Sequence, residues 1–523
     1  MPQNEYATDH LVGQDNIQPL GLLDVHNPVF LISGAAIVLF VIFTLSFPDY
    51  AAQTFGELRP WLTTTFDWVF MGSVNFFVLF LVFIACTKAG QIRIGGADCR
   101  PDFSFASWIS MLFAAGIGIG IMFYGVLEPM NHLLNPPMNG SELGVEDKRD
   151  LAMAATLYHW ALHPWAVYTV LGLSLAFFAY NKGLPLIIRS ALYPLFGERI
   201  WGWTGHIIDV LAVIATLFGL ATSLGYGAEQ ITGGLSYLFG ISGGTQVKII
   251  VVGVITIMAM LSLIRGLDGG IKLLSEVNMI AAAVLGAYIL FMGPTLDIIS
   301  AFFGNILGYL QYLPTLSNFV GREDAYYMHD WTTFYWSWWI AFSPFVGMFI
   351  ARISRGRTVR EFIVATLLAP SLIFVAWMTI FGETAMNHYL HDNITAVADT
   401  VRTFQPELTL FVFLQEFPLA TASSVLGVLL VMVFFTTSMD SGSFIVDTMT
   451  SGGKIDTPMA QRLFWCVFLG LMGIALLLGG GLASLQALSL ATGFPFCLIL
   501  LLMCASLYKG LSKEAETLTV ADH

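Results

Sequence analysis

Apolar residues gather along this chain into twelve blocks, each near the roughly 20 residues that carry a helix across a bilayer. The blocks lie at 28–47, 62–86, 106–131, 152–180, 205–232, 246–264, 276–304, 333–351, 359–385, 409–437, 460–479 and 483–507. Polar and apolar positions do not alternate within them, as the strands of a membrane barrel would require. The pattern predicts an all-α polytopic membrane protein with about twelve transmembrane helices. A polar N-terminal tail, 1–27, holds Glu5, Asp9, Asp15 and Asp24 with no Lys or Arg, and has no signal-peptide pattern. A short polar tail, 509–523, follows the last run. Neither tail is long enough for a separate soluble core.

Two runs are interrupted in their interior. The third contains A-A-G-I-G-I-G at 114–120 and the eighth contains Ser343-Pro344. Alternating glycines weaken a helix, and proline removes a donor and crowds the preceding turn. Irregular backbone at membrane depth persists only where protein buries it or it lines a cavity. A pair of broken helices in corresponding positions of two halves points to a transporter site. The two runs are five apart. The expected organisation is two five-helix repeats, 106–305 and 333–508, joined by an outer segment, 306–332, and preceded by two extra helices within 28–105.

Composition agrees. Hydrophobic residues make up 56% and charged residues 11%, against about 25% charged in soluble domains. Sixteen of the 22 Lys and Arg fall in segments that are cytoplasmic if the N-terminus is inside, and six fall outside. The positive-inside rule then predicts cytoplasmic termini and supports an even helix count; the expected location is the cell inner membrane. The densest basic loop, A-R-I-S-R-G-R-T-V-R-E-F at 351–362, is read as a topology anchor. The net charge of −13 reflects acids in the tail and outer loops, a solvated-loop pattern. The five cysteines show no metal or disulfide spacing. No G-x-x-x-x-G-K-[ST] offers a nucleotide-driven route, and nothing suggests nucleic acid.

The chemistry is carried by aromatic rings. W-T-T-F-Y-W-S-W-W-I-A-F-S-P-F at 331–345 holds eight rings in fifteen residues, more than an interfacial belt of one or two per helix end. Y-H-W-A-L-H-P-W-A-V-Y at 158–168 repeats the theme, with Trp160, Trp165 and Tyr168 on one helical face. Two facing clusters make a cage for a quaternary ammonium, each desolvated ring contributing about 1–2 kcal/mol of cation–π attraction. No Asp or Glu lies inside either cluster, as suits a cation that cannot donate hydrogen bonds. His159 and His163 are four apart, but no Glu follows the first and no third ligand is evident, so they are read as packing or hydrogen-bonding residues. An enzyme acting on a lipid head group would need a catalytic cluster, which these two do not supply.

The tenth run ends F-F-T-T-S-M-D-S-G-S at 434–443. Thr437 and Ser438 offer hard oxygens for sodium, beside carbonyls freed by the glycine break. Such hydroxyls otherwise bond back to their own helix. Asp440 is read either as an ion-path residue or as a residue at the cytoplasmic helix end, the latter favoured.

Together, W-T-T-F-Y-W-S-W-W-I-A-F-S-P-F-V-G-M-F-I-A-R-I-S-R-G-R-T-V-R-E-F at 331–362, A-A-G-I-G-I-G-I-M-F-Y-G-V-L-E-P at 114–129 and H-W-A-L-H-P-W-A-V-Y at 159–168 resemble the betaine/carnitine/choline transporters, over about 28 to 508. The resemblance implies the inverted-repeat fold of sodium-coupled amino-acid transporters, a homotrimer, alternating access and no enzymatic cofactor, with sodium as the coupling ion. It implies an aromatic box of Trp160, Trp165, Tyr168 and Trp339, with Trp336, Trp338, Phe342, Gly116, Gly118 and Gly120 beside it. Tyr124 and Phe345 would be gates. Ala114, Ile117, Phe434, Thr437 and Ser438 would hold sodium, with a second ion at Thr216 and Phe345. Choline carriers of the family tend to have Asp at the Gly120 position, so glycine there implies room for a zwitterion carrying its own carboxylate. Glycine betaine is the expected substrate, imported by sodium symport; choline or carnitine exchange and dimethylsulfoniopropionate uptake are the alternatives. Phe342 stands where sodium-coupled betaine carriers usually have Trp, and Leu220 where some members have a hydroxyl.

Overall fold

The computed structural model describes residues 8, 10–11, 17–26, 28–116, 118–265 and 272–521. A two-stranded hairpin, β1 (Gln18–Leu20) and β2 (Leu23–Val25), precedes the helices. These run as α1 (Val29–Ser46), α2 (Pro48–Cys86), α3 (Phe105–Gly116), α4 (Ile119–Leu134), α5 (Val145–Trp160), α6 (Leu162–Tyr180), α7 (Trp203–Phe239), α8 (Thr245–Arg265), α9 (Lys272–Met292) and α10 (Thr295–Ser317). They continue as α11 (Tyr326–Ile353), α12 (Val359–Leu390), α13 (Ala396–Arg402), α14 (Thr409–Leu414), α15 (Ala420–Thr450), α16 (Met459–Leu478) and α17 (Leu482–Ala521). Eleven segments among the described residues are long and apolar enough to span a membrane, α5 and α6 together forming one. The third run is absent from that set because its break leaves two shorter pieces, α3 and α4. The chain is an all-α polytopic membrane protein.

Several boundaries differ from the sequence pattern. The seventh run ends at Met292, where Gly293 and Pro294 interrupt it before α10 begins. The tenth does not start at 409. A short α14 stops at Leu414, and α15 begins after Leu419, whose φ of 59° turns the chain. Continuing to Thr450, α15 leaves Asp440 well inside the helix and fully buried, not at a solvated helix end.

The expected break at Ser343-Pro344 is also absent, since α11 continues through Pro344 to Ile353. Proline leaves the Ile340 carbonyl without its usual donor, and the Ser343 hydroxyl supplies one at 2.7 Å. Within the second aromatic segment, Pro164 does interrupt the helix. It can give no N–H to the Trp160 carbonyl, and the chain turns at Ala161 (φ −91°, ψ −119°), separating α5 from α6. The third run breaks as the glycines predict, with Gly118 extended (φ −162°, ψ −167°) before α4.

Small residues set the closest helix crossings. A Cβ added at Gly219 on α7 would lie 2.9 Å from backbone atoms of Ala341 and Phe342 on α11, and one at Gly172 on α6 would lie 3.1 Å from the Gly347 carbonyl. On α8, the exposed residues Ile250, Val254, Ile257, Leu261 and Ile264 form one apolar stripe, a lipid-facing surface.

The basic loop after α11 is built into the fold. Arg93 and Arg360 donate to the Gly356 and Ala85 carbonyls at 2.6 and 2.8 Å. Arg357 donates to the Phe103 carbonyl at 2.7 Å and lies 4.6 Å from the Trp108 ring centroid. At the start of α12, Thr358 and Glu361 cap one another. Between α6 and α7, Arg189 is fully buried with its Nε 2.6 Å from Asp209 Oδ2.

Candidate functional site

The aromatic runs meet where α5, α6 and α11 cross. The break at Ala161 shapes the meeting point. It frees the His159 carbonyl, which accepts the Trp339 indole N–H at 3.0 Å. Trp160 then lies edge-on to Trp339 with centroids 5.1 Å apart, and Tyr168 lies edge-on to Trp339 at 6.3 Å. Trp165 packs against Tyr168 at 5.3 Å. The four rings of the expected box are therefore neighbours, drawn from three helices. Trp338 stacks on Trp339 at 4.7 Å, with its indole nitrogen 3.3 Å from both the Gly219 carbonyl and the Ser223 hydroxyl. These rings touch one another.

Other expected members fall elsewhere. Trp336 packs against Met71, Tyr158, His159 and His163. Gly120 does not leave open room: a Cβ there would lie 2.7 Å from the Trp160 ring. The space expected there for a substrate carboxylate is occupied by the Trp160 ring. Gly118 is open, with nothing within 4 Å of an added Cβ. Gly116 and Ala114 end α3, and Ile117 lies outside the described residues.

Toward the Tyr326 end of α11 the box is sealed. Tyr124 on α4 contacts Trp160, Tyr226, Tyr335, Trp331 and Trp338 at 5.4–6.3 Å and is buried. Toward the Arg352 end, Phe342 and Phe345 pack edge-on at 5.1 Å, and both are only partly buried. Thr437 and Ser438 on α15 are likewise half-exposed, and the start of α3 is exposed. The Thr437 hydroxyl lies 3.0 and 3.2 Å from the Val433 and Phe434 carbonyls, so it bonds back to its own helix. Thr216 does the same to Ala212 at 2.7 Å and is fully buried.

A residue given no role from sequence stands at the centre. Glu128, one residue before Pro129 on α4, is fully buried. Its Oε2 accepts the Trp160 indole N–H at 2.7 Å and the Tyr335 hydroxyl at 2.5 Å. Its Oε1 lies 2.6 Å from His159 Nδ1 and 3.4 Å from His132 Nε2. His159 Nε2 meets the Thr332 hydroxyl at 2.9 Å, and His163 Nε2 meets Asn75 Oδ1 at 3.0 Å. Both histidines are thus hydrogen-bonding residues. Glu128, His132 and His159 bring their ligand atoms within 4.8 Å of one another, but both Glu128 oxygens are already engaged, and a hydrogen-bond cluster accounts for them. The signal for Glu128 was a lone acid within an apolar run, which in a membrane is functional by default. Phe374 on α12, 5.3 Å from Trp160 and 6.2 Å from Trp165, closes the box from a helix whose sequence gave no hint of it.

Known proteins match this chain along nearly its whole length. The betaine/carnitine/choline family transporter model matches residues 28–516. A glycine betaine/proline/choline transporter of Vibrio parahaemolyticus is 50% identical, covering 99% of this chain and 96% of that protein. Glycine betaine transporter 1 of the same organism is 45% identical over 98% of both chains. The high-affinity choline transport protein of Escherichia coli K12 is 38% identical, covering 94% of this chain and 73% of that protein.

Proposed function

Because the chain belongs to the betaine/carnitine/choline transporter family, we propose that it imports glycine betaine, or a close methylated-ammonium relative, by sodium symport. The observation that carries this reading is the ring cluster of Trp160, Trp165, Tyr168 and Trp339, assembled from α5, α6 and α11. Such faces attract a cation that has no hydrogen to donate. Relatives named for glycine betaine support the substrate.

Sodium would sit between the end of α3 and α15, held by the Ala114, Ile117 and Phe434 carbonyls and the Thr437 and Ser438 hydroxyls, with a second ion at Thr216 and Phe345. Exchanging its intrahelical bond for an ion costs the Thr437 hydroxyl little. Alternating access would move two five-helix halves about the cage. The buried Tyr124 cluster on one side and half-exposed Phe345, Thr437 and Ser438 on the other fit a form open toward the cytoplasm. An inner-membrane location, cytoplasmic termini and a homotrimer belong to the same reading, and sedimentation of the solubilised protein tests the trimer.

Uptake of labelled glycine betaine into proteoliposomes is expected to accumulate only under an inward sodium gradient. The membrane potential adds about 2.3 kcal/mol per net charge per 100 mV. Ser438→Ala is expected to raise the half-saturating sodium concentration about tenfold or more, as loss of one oxygen ligand should. Uptake indifferent to sodium and driven by preloaded substrate would make the protein an exchanger and refute the ion site.

Gly120→Ala probes the cage wall. Its methyl would meet the Trp160 ring at 2.7 Å, and displacing a packed ring costs about 1–3 kcal/mol. The expected result is at least a severalfold rise in KM for glycine betaine with normal membrane insertion. An unchanged KM would show that Trp160 does not form the wall during binding.

A further inference from the structure

We propose that Glu128 determines specificity: its charge, held at the back of the aromatic cage, sets how well the site accepts a net cation relative to a zwitterion. The inference rests on the cage reading above. Glu128 is fully buried, and its Oε2 takes the Trp160 indole N–H, a group that can only donate, together with the Tyr335 hydroxyl. Both rings touch Trp339, at 5.1 and 5.8 Å. One carboxylate therefore fixes the edges of two rings whose neighbour is the centre of the box. Drawing an indole N–H toward an anion also enriches the ring face, which is the surface that meets the cation. Among the described residues, no other carboxylate is hydrogen-bonded to a ring of this cluster.

The position that would otherwise supply a charge cannot. Gly120 has no side chain, and the Trp160 ring fills the space above it. As a carboxylate, Glu128 would bring one negative charge to a buried site walled by aromatic rings, with His132 and His159 beside its Oε1. A fixed charge acts in full on a net cation such as choline. On a zwitterion it attracts the ammonium and repels the carboxylate, so its net effect is smaller. Choline acceptance would thus come from behind the cage.

The test compares choline and glycine betaine as substrates of the full-length protein in proteoliposomes. Glu128→Gln keeps the shape but removes the charge, and its amide cannot accept from every donor. Betaine uptake is expected to fall through the lost hydrogen bonds, and KM for choline to rise about tenfold further, the order of one unit charge acting across a desolvated site. Equal losses for both solutes would make Glu128 a scaffold residue and overturn the proposal, as would an unshifted ratio. If the Gln variant does not insert, Glu128→Asp keeps the charge while withdrawing the oxygens. It must weaken both solutes and preserve their ratio, and a collapsed ratio overturns the proposal. Uptake insensitive to Trp339→Ala would count against the cage itself. Trp339-dependent uptake with an unshifted ratio in Glu128→Gln would overturn this inference alone.

Discussion

Trp339→Ala is expected to lower kcat/KM for glycine betaine by about a hundredfold or more, since a desolvated cation–π contact is worth about 2 kcal/mol and its neighbours lose their packing as well. Trp339 is the ring that the others share: Trp338 stacks on it at 4.7 Å, Trp160 and Tyr168 meet it edge-on, and its N–H holds the His159 carbonyl at 3.0 Å. Truncation removes one face of the box and lets two walls collapse inward. Trp339→Phe keeps a face but loses the hydrogen bond, so an intermediate loss is expected. Gel filtration and membrane abundance separate this from misfolding. A well-inserted Trp339→Ala protein with wild-type KM would refute the cage assignment.

The second large effect concerns stability. Asp209→Ala strands the Arg189 guanidinium, fully buried beside it with Nε at 2.6 Å and the backbone N–H at 3.1 Å from the same carboxylate. Removing one partner of a buried pair costs on the order of 3–5 kcal/mol, whereas replacing both by apolar groups is often near neutral. The variant is expected to show a clear fall in apparent melting temperature in detergent, and Arg189→Leu/Asp209→Leu to recover most of it. Among the described residues, His206 Nδ1, 3.0 Å from Arg189 Nη2, remains to soften the loss. A single variant as stable as wild type would show that water reaches the guanidinium.

Much of the architecture is legible in the chain because membrane depth leaves the backbone few options. The runs, the glycine break before Gly118 and the proximity of the two aromatic segments all follow from local composition. The misplaced features share a cause, which is that a side chain elsewhere met a need the local letters appeared to leave open. Ser343 supplies the donor that Pro344 lacks, so α11 stays whole, while among the described residues no hydroxyl does the same at the turn before Pro164. Trp160 fills the space that Gly120 seemed to leave. Glu128 was hidden because it lies some thirty residues from one aromatic segment and two hundred from the other; only folding brings its carboxylate to both.

The arginine loop after α11 has a mechanical consequence. Arg357 grips the Phe103 carbonyl at 2.7 Å and covers Trp108, whose indole N–H in turn reaches the Ser354 hydroxyl at 3.0 Å. The first turn of α3 is thereby bolted to the last turn of α11. A swing of α3 must either drag α11, with Trp338 and Trp339 aboard, or strip a guanidinium of its carbonyl and its ring together. The helix that would border the ion and the helix that bears the cage are geared, and one cannot turn freely while the other stands still.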